Sequence, residues 1–174
     1  MTTSMEQNTA TLFLEFSRDK LMKQYWPRLQ ACVEQLTDEQ IWWRPNEASN
    51  SIGNLVLHLN GNVRQWLVVS FNHEEDARDR PAEFNERAHI AGSALIERLG
   101  ATMEQASHVL ARLTEPDLLS PYEIQGHHVT GLAAVYQVLE HFGLHYGQIL
   151  YVTKLLREKD LGFYSALNKT GRSS

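Results

Sequence analysis

His141 and His145 lie four residues apart in the most regularly patterned helical segment of the chain. At that spacing, side chains stand one above the other on a helix, about 5–6 Å apart at Cβ. Two imidazoles so placed can turn ring nitrogens toward one metal ion, at about 2.0–2.1 Å for zinc. Gln137 and Gln148 extend the pair into a polar seam. A second seam, Asn54, His58, Asn62 and Gln65, runs through an apolar segment containing Leu55, Leu57, Leu59, Val63 and Trp66. Gly61 sits one turn from His58, where a missing side chain lets another group approach. If the seams face each other, His58 joins His141 and His145 in a three-histidine site. The competing arrangement is three histidines with separate partners, or an exposed seam. Eight histidines in 174 residues make an i, i+4 pair common enough by chance that spacing alone does not choose.

The elements that must bring these residues together can be read from hydrophobic period. Four long segments have helical spacing. The first runs from about Thr9 to Leu36, with Phe13, Phe16, Tyr25, Leu29, Cys32 and Leu36 as its apolar face. Pro27 inside it predicts a kink or break near Trp26. Thr37-Asp38-Glu39-Gln40 reads as a capping box for a short turn carrying Ile41, Trp42 and Trp43, stopped by Arg44-Pro45. Asn50-Ser51 caps a second helix to about Phe71. The polar stretch His73 to Ala91 is long for a loop and reads as a lid or a mobile connection. A third helix covers about Ser93 to Leu113, with Leu95, Leu99, Met103, Ala106, Leu110 and Leu113 as its stripe. Thr114-Glu115-Pro116 ends it. Tyr122 to Val129 alternates and contains Gly126, which predicts a small β-hairpin. Thr130 caps the last helix, to about Lys159, with Val135, Leu139, Phe142, Ile149, Val152 and Leu156 on its apolar face. The expected fold is all-α: an up-down four-helix bundle with a short hairpin-like insertion before the last helix, residues 1–174 forming one domain.

Composition agrees with an ordinary globular protein: 43% hydrophobic and 21% charged residues. The formal net charge is −5, with 16 Lys and Arg against 21 Asp and Glu, and no basic stripe stands out. Nucleic acid is therefore not an expected partner. The single cysteine, Cys32, excludes an intrachain disulfide and Cys-based zinc sites. No apolar run reaches the ~18 residues of a membrane span, and MTTSMEQNTATLF lacks the apolar core of a signal peptide. A cytoplasmic protein with no membrane association is expected.

Two stretches carry a family resemblance. Trp42-Trp43-Arg44-Pro45-Asn46 followed by Asn50-Ser51-Ile52-Gly53-Asn54-Leu55-Val56-Leu57-His58-Leu59 and Gly61-Asn62 resembles the DinB/YfiT-like superfamily. Glu140-His141-Phe142-Gly143-Leu144-His145-Tyr146-Gly147-Gln148-Ile149 resembles that family's second signature. The likeness extends from the first helix to about Leu156. It implies a four-helix bundle, a divalent metal held by three histidines, and a homodimer. The family's helix-two histidine falls on His58 and its helix-four pair on His141 and His145. The family name refers to DNA damage induction, not DNA binding.

Three neutral imidazoles would leave a divalent ion with charge about +2 and open coordination positions, the form of catalytic zinc sites. Imidazole suits several transition metals, and zinc or nickel is the expectation. Three functions follow. The first is a metal-dependent transferase that joins a low-molecular-weight thiol, bound as thiolate, to an electrophilic small-molecule substrate; the resemblance includes such S-transferases and isomerases. The second is a hydrolase using metal-bound hydroxide. The third is a non-catalytic metal-binding stress-response protein. Neither seam carries Asp or Glu, and Glu140 points about 100° from His141, so the thiol reading is modestly favoured over one needing a general base.

Other residues have plainer expectations. His127 and His128 belong to an exposed turn or border the site mouth; His73, His89 and His108 lie on the surface. Cys32 is a buried small hydrophobe. Trp42, Trp43 and Trp66 pack the core, or one of them lines a pocket. Arg80 and Arg87 are solvated, or else recognise an anionic thiol or substrate. Asn54, Asn62, Gln137 and Gln148 are candidates to orient the imidazoles. Tyr146 points away from the metal.

Overall fold

The computed structural model describes residues 8–87 and 90–165. It is mostly helical, with one small two-stranded sheet. His89 lies outside the described residues.

Helix α1 (Thr9–Asp19) passes through a π-helical stretch, Lys20–Tyr25, into α2 (Trp26–Val33). The expected break at Pro27 is absent. Pro27 occupies the first turn of α2, directly after the wider π turn, where its missing N–H and its ring are accommodated. The π turn also shifts the helix face. The expected stripe holds on its far side, where Leu29 and Cys32 are fully buried, and fails before it. Phe16 is 63% exposed, and Leu14, Ser17 and Leu21 point inward instead.

The short helix α3 (Asp38–Trp42) begins with the expected capping box. Thr37 N–H donates to Gln40 Oε1 at 3.1 Å, and Gln40 N–H donates to Thr37 Oγ1 at 3.3 Å. Trp42 is buried while Trp43 is 37% exposed, so only one of that pair enters the core. Ser51 caps α4 (Ile52–Val63), which continues as a second π-helical stretch, Arg64–Val69, and ends in α5 (Ser70–Asn72). His73 closes this long helical segment in the left-handed conformation, φ 55°.

The connection expected to be a lid or loop contains a further helix, α6 (Arg80–Asn85), packed on α4. Asp79 caps it by accepting from Ala82 N–H at 3.0 Å, and Pro81 stands in its first turn. Helix α7 (Gly92–Arg112) buries all six expected stripe residues from Leu95 to Leu113. Thr114 does not simply end it. The Asp117 carboxylate accepts from Thr114 N–H at 2.7 Å and starts the short α8 (Glu115–Leu119).

Strands β1 (Pro121–Ile124) and β2 (His127–Thr130) form the expected antiparallel hairpin, pairing Tyr122 with Val129 and Ile124 with His127. Its two-residue turn places Gln125 at φ 54° and Gly126 at φ 74°, the twist a tight hairpin requires. Thr130 then caps α9 (Gly131–Arg157) by accepting from Ala133 N–H.

Helix α4 is the central element, touching α3, α6, α7 and α9, while α1 and α2 pack on α7 and α9. Leu29, Leu59, Leu67, Leu99, Met103, Phe142 and Ile149 are completely buried where these helices meet. Each such side chain contributes about 1.5–3 kcal/mol. Phe142, one residue after His141, stacks on Tyr25 at 5.9 Å. That contact fixes the rotation of α9 and so the direction of its histidines.

Candidate metal centre

The two seams do face each other. His58 Nε2 and His141 Nε2 are 2.8 Å apart. The His141 and His145 rings are 4.5 Å apart at 85°, and the His58 and His145 rings are 5.1 Å apart at 90°. One ring nitrogen from each of the three lies within 4.8 Å of the others. No other such group of His, Cys, Asp or Glu occurs among the described residues. His58 is 3% exposed; His141 and His145 are half-buried.

The donor set fits a divalent ion. Tetrahedral zinc with bonds of about 2.0–2.1 Å needs ligand atoms about 3.3 Å apart, within the spread seen here. The imidazoles must also be neutral. Burial holds His141 down to about 4 from its ordinary 6.5, helped by the charges of His145, His58, Arg78 and Arg80. Burial also lowers His145, against a hydrogen bond to Gln148 that works to raise it. Both rings therefore offer lone pairs at neutral pH.

Partners behind the rings select which nitrogen is offered. His58 Nδ1 donates to Glu83 Oε2 at 2.8 Å, leaving its Nε2 lone pair directed at the cluster. His145 Nδ1 donates to Gln148 Oε1 at 2.7 Å, with the same consequence. Of the four candidates to orient the rings, Gln148 does so directly. Asn54 acts one step removed: its Nδ2 donates to the carbonyls of Glu83 and Glu86 at 3.0 and 3.3 Å and so clamps α6 onto α4.

Sequence reasoning missed Glu83 and Arg78. Both come from the connection expected to be polar and mobile, yet their side chains are 10% and 6% exposed. Arg78 Nε donates to Glu83 Oε1 at 2.7 Å and Nη2 to Oε2 at 2.9 Å, a bidentate pair. Arg78 Nη1 reaches Gln65 Oε1 at 2.8 Å. Burial works to raise the Glu83 pKa, but the hydrogen bonds and charges of Arg78 and His58 outweigh it and hold the carboxyl below its ordinary value. Glu83 is thus an ionised acceptor with both oxygens engaged. The expectation for Gly61 holds: a Cβ there would collide with Glu83 Oε1 and lie 2.7 Å from Arg78 Nε. Asp79 before Pro81, a helix-start pattern, was the signal in the sequence for α6.

The remaining candidates sort themselves by position. Arg87 donates to the carbonyls of Phe84 and Glu86, whereas Arg80 lies over the Phe84 ring at 5.0 Å, and that ring packs on His58 at 4.5 Å. His127 and His128 are exposed on β2, His108 is exposed on α7, and His73 stacks on Tyr122. Tyr146 is buried against Tyr25, away from the cluster. Cys32 is fully buried in the core.

The comparisons with known proteins agree with this architecture. The conserved protein of locus from Enterococcus faecalis superposes with a TM-score of 0.70 at 17% identity, covering 83% of this chain and 97% of its own. A DinB-like protein from Bacillus cereus ATCC 10987 superposes with a TM-score of 0.64 at 12% identity, covering 83% and 90%. At those identities the likeness is one of fold. No curated protein matches. The family described as "Protein of unknown function (DUF1572)" matches residues 8–168, nearly the whole chain. The chain belongs to that family, and with it to the DinB/YfiT-like superfamily.

Proposed function

We propose that the protein is a metal-dependent enzyme in which His58, His141 and His145 bind one divalent transition ion, zinc or nickel, and that it transfers a low-molecular-weight thiol to an electrophilic small molecule. The observation that carries the metal centre is the convergence of three ring nitrogens from α4 and α9 within 4.8 Å. A bound ion would supply Lewis acidity, deprotonating a coordinated thiol or activating water. The chain's own residues do the rest: Glu83 and Gln148 hold the His58 and His145 rings by Nδ1, and Phe84 closes over His58.

Thiol transfer is favoured over hydrolysis by the state of Glu83. A hydrolase needs a carboxylate or imidazole free to take a proton from water. Both oxygens of Glu83 are committed to Arg78 and His58, and three imidazoles are the ligand set. A thiolate needs no separate base once formed.

Three further readings accompany this one. The long helical segments constitute an up-and-down four-helix bundle in one domain. Two copies pair as a homodimer, for which the exposed Leu144, Tyr151 and Leu155 of α9 offer an apolar contact. No helix among the described residues is long and apolar enough to cross a membrane, and we place the protein in the cytoplasm.

The test is a screen of small thiols against a generic electrophile, with Zn²⁺ or Ni²⁺ loaded and after chelation. Turnover that one thiol supports and chelation abolishes is expected. Ester or amide hydrolysis without any thiol would favour the hydrolase instead, and no metal-dependent turnover of either kind would leave a non-catalytic metal-binding protein.

A further inference from the structure

His58, Gly61 and Gln65 follow one another at steps of three and four residues, along α4 and into the π-helical stretch that continues it, so they share one stripe. Gln65 stands two turns from His58, about 10 Å along the axis, too far to meet a shared ion. Between them lies Gly61, whose missing side chain leaves room for the Arg78–Glu83 pair. Gln65 is 6% exposed, and its carboxamide is bonded on both sides. Its Oε1 accepts from Arg78 Nη1 at 2.8 Å and from Gln125 Nε2, on the hairpin turn, at 2.6 Å. Its Nε2 donates to Asp76 Oδ2, while Asp76 Oδ1 accepts from Arg78 N–H at 3.1 Å. One path of hydrogen bonds therefore runs from the hairpin turn to a candidate ligand: Gln125, Gln65, Arg78, Glu83, His58.

The placing of Arg78 matters to the His58 ring. Arg78 Nη2 lies 2.9 Å from Glu83 Oε2 and 3.1 Å from His58 Nδ1. While Glu83 Oε2 accepts from both, the ring proton sits on Nδ1 and the Nε2 lone pair faces the cluster. A guanidinium turned to donate to Nδ1 would take that nitrogen's lone pair and move the ring proton to Nε2. That would close the position from which His58 could hold a metal. The bond from Nη1 to Gln65 opposes such a turn.

We propose that Gln65 is a positioning residue of the metal centre: it holds the Arg78 guanidinium on Glu83 and so keeps the His58 proton on Nδ1, with Gln125 extending the restraint to the hairpin. The hairpin then supports the centre from outside, although none of its residues belongs to the histidine cluster. The consequence for metal affinity rests on the metal-centre reading above; the consequence for the ring proton does not.

The test uses the full chain with ¹⁵N-labelled histidine, chelated, together with zinc affinity from chelator competition. The His58 ring signals, identified by their loss in His58→Gln, report which nitrogen carries the proton, and the parent should show the Nδ1–H form. Gln65→Met keeps the volume and removes all three hydrogen bonds. The Nε2–H form should then grow, and zinc affinity should fall about fivefold, the worth of one hydrogen bond. Gln65→Glu combined with Asp76→Asn reverses donor and acceptor between those two residues and keeps an oxygen facing Arg78, so both readings should return to the parent's. Gln125→Asn separates positioning from stability. It makes an Asn-Gly turn, which suits the positive φ at 125 and 126, and Tyr122 still rests on Phe71 at 4.7 Å, so Tm should hold or rise. The shorter side chain loses Gln65, and the His58 signals should shift the same way by less. Unchanged His58 signals in Gln65→Met or Gln125→Asn, or no recovery in the paired exchange, would overturn the proposal. A parent that takes up no zinc would sink the metal reading, and the ring signals would still decide this one.

Discussion

Gly61→Ala is a small change on the buried side of α4 with a large expected cost. An added Cβ would collide with Glu83 Oε1 and sit 2.9 Å from Glu83 Cδ and 2.7 Å from Arg78 Nε. Neither side chain can swing aside cheaply, because Arg78 is bound to Glu83 twice and Glu83 to His58. Keeping the ion pair means pushing α6 off α4, an overpacking cost of about 1–3 kcal/mol. Breaking it strands buried charge, which costs about 3–5 kcal/mol. The helical preference for alanine returns about 0.5–1 kcal/mol. The net expectation is a loss of about 2 kcal/mol, or about 4–8 °C in Tm for a chain of this size. Gly147→Ala is the internal control: its Cβ would meet nothing within 4 Å on α9, so only the helical preference remains and stability should rise slightly. Thermal unfolding followed by circular dichroism reads both. If Gly61→Ala is as stable as the parent, or moves with Gly147→Ala, the packing of Arg78 and Glu83 against α4 is not as described.

Other perturbations read the same centre. Glu83→Gln keeps the shape but removes the anionic acceptor of His58 Nδ1; divalent-metal affinity in chelator competition should fall about 10–100-fold, and an unchanged value would deny the residue its positioning role. Burial pushes the Cys32 thiol up to about 11, against a hydrogen bond from Thr153 and the charge of Lys154, so a disulfide reagent should label it only on unfolding. Labelling of the native protein at neutral pH would contradict its burial. His141 is depressed to about 4 in the folded chain, so between pH 6.5 and about 4 the unfolded chain binds the extra proton. Stability of the chelated protein should therefore be level above pH 6.5 and fall by about 1–3 kcal/mol as the pH drops through that window. His141→Gln should flatten that part of the profile, and an unaltered slope would assign the loss to other groups.

Local rules made much of this fold legible. The stripe from Leu95 to Leu113, the Thr37 and Ser51 caps and the Gln125-Gly126 hairpin each depend on neighbours within a few residues. The histidine cluster was legible because both seams lie on long helices, where spacing fixes the face. What failed was set by longer-range or non-standard geometry. The π turn at Lys20–Tyr25 rotated the face, so Phe16 points out although its spacing matches Leu29 and Cys32. Glu83 and Arg78 looked like solvated charges because their composition is that of a loop. Their burial depends on pairing with each other and with His58, and on the space beside Gly61. Sequence patterning registers charge but not its partner.

The central claim is that His58, His141 and His145 are the ligands of one divalent ion. The X-ray absorption spectrum of the zinc-loaded full chain, taken at close to one equivalent, addresses it directly. The expected result is imidazole scattering from about three nitrogens at about 2.0–2.1 Å, lost in His141→Ala. A chain that takes up no zinc, or holds it with the same spectrum after that substitution, would contradict the account.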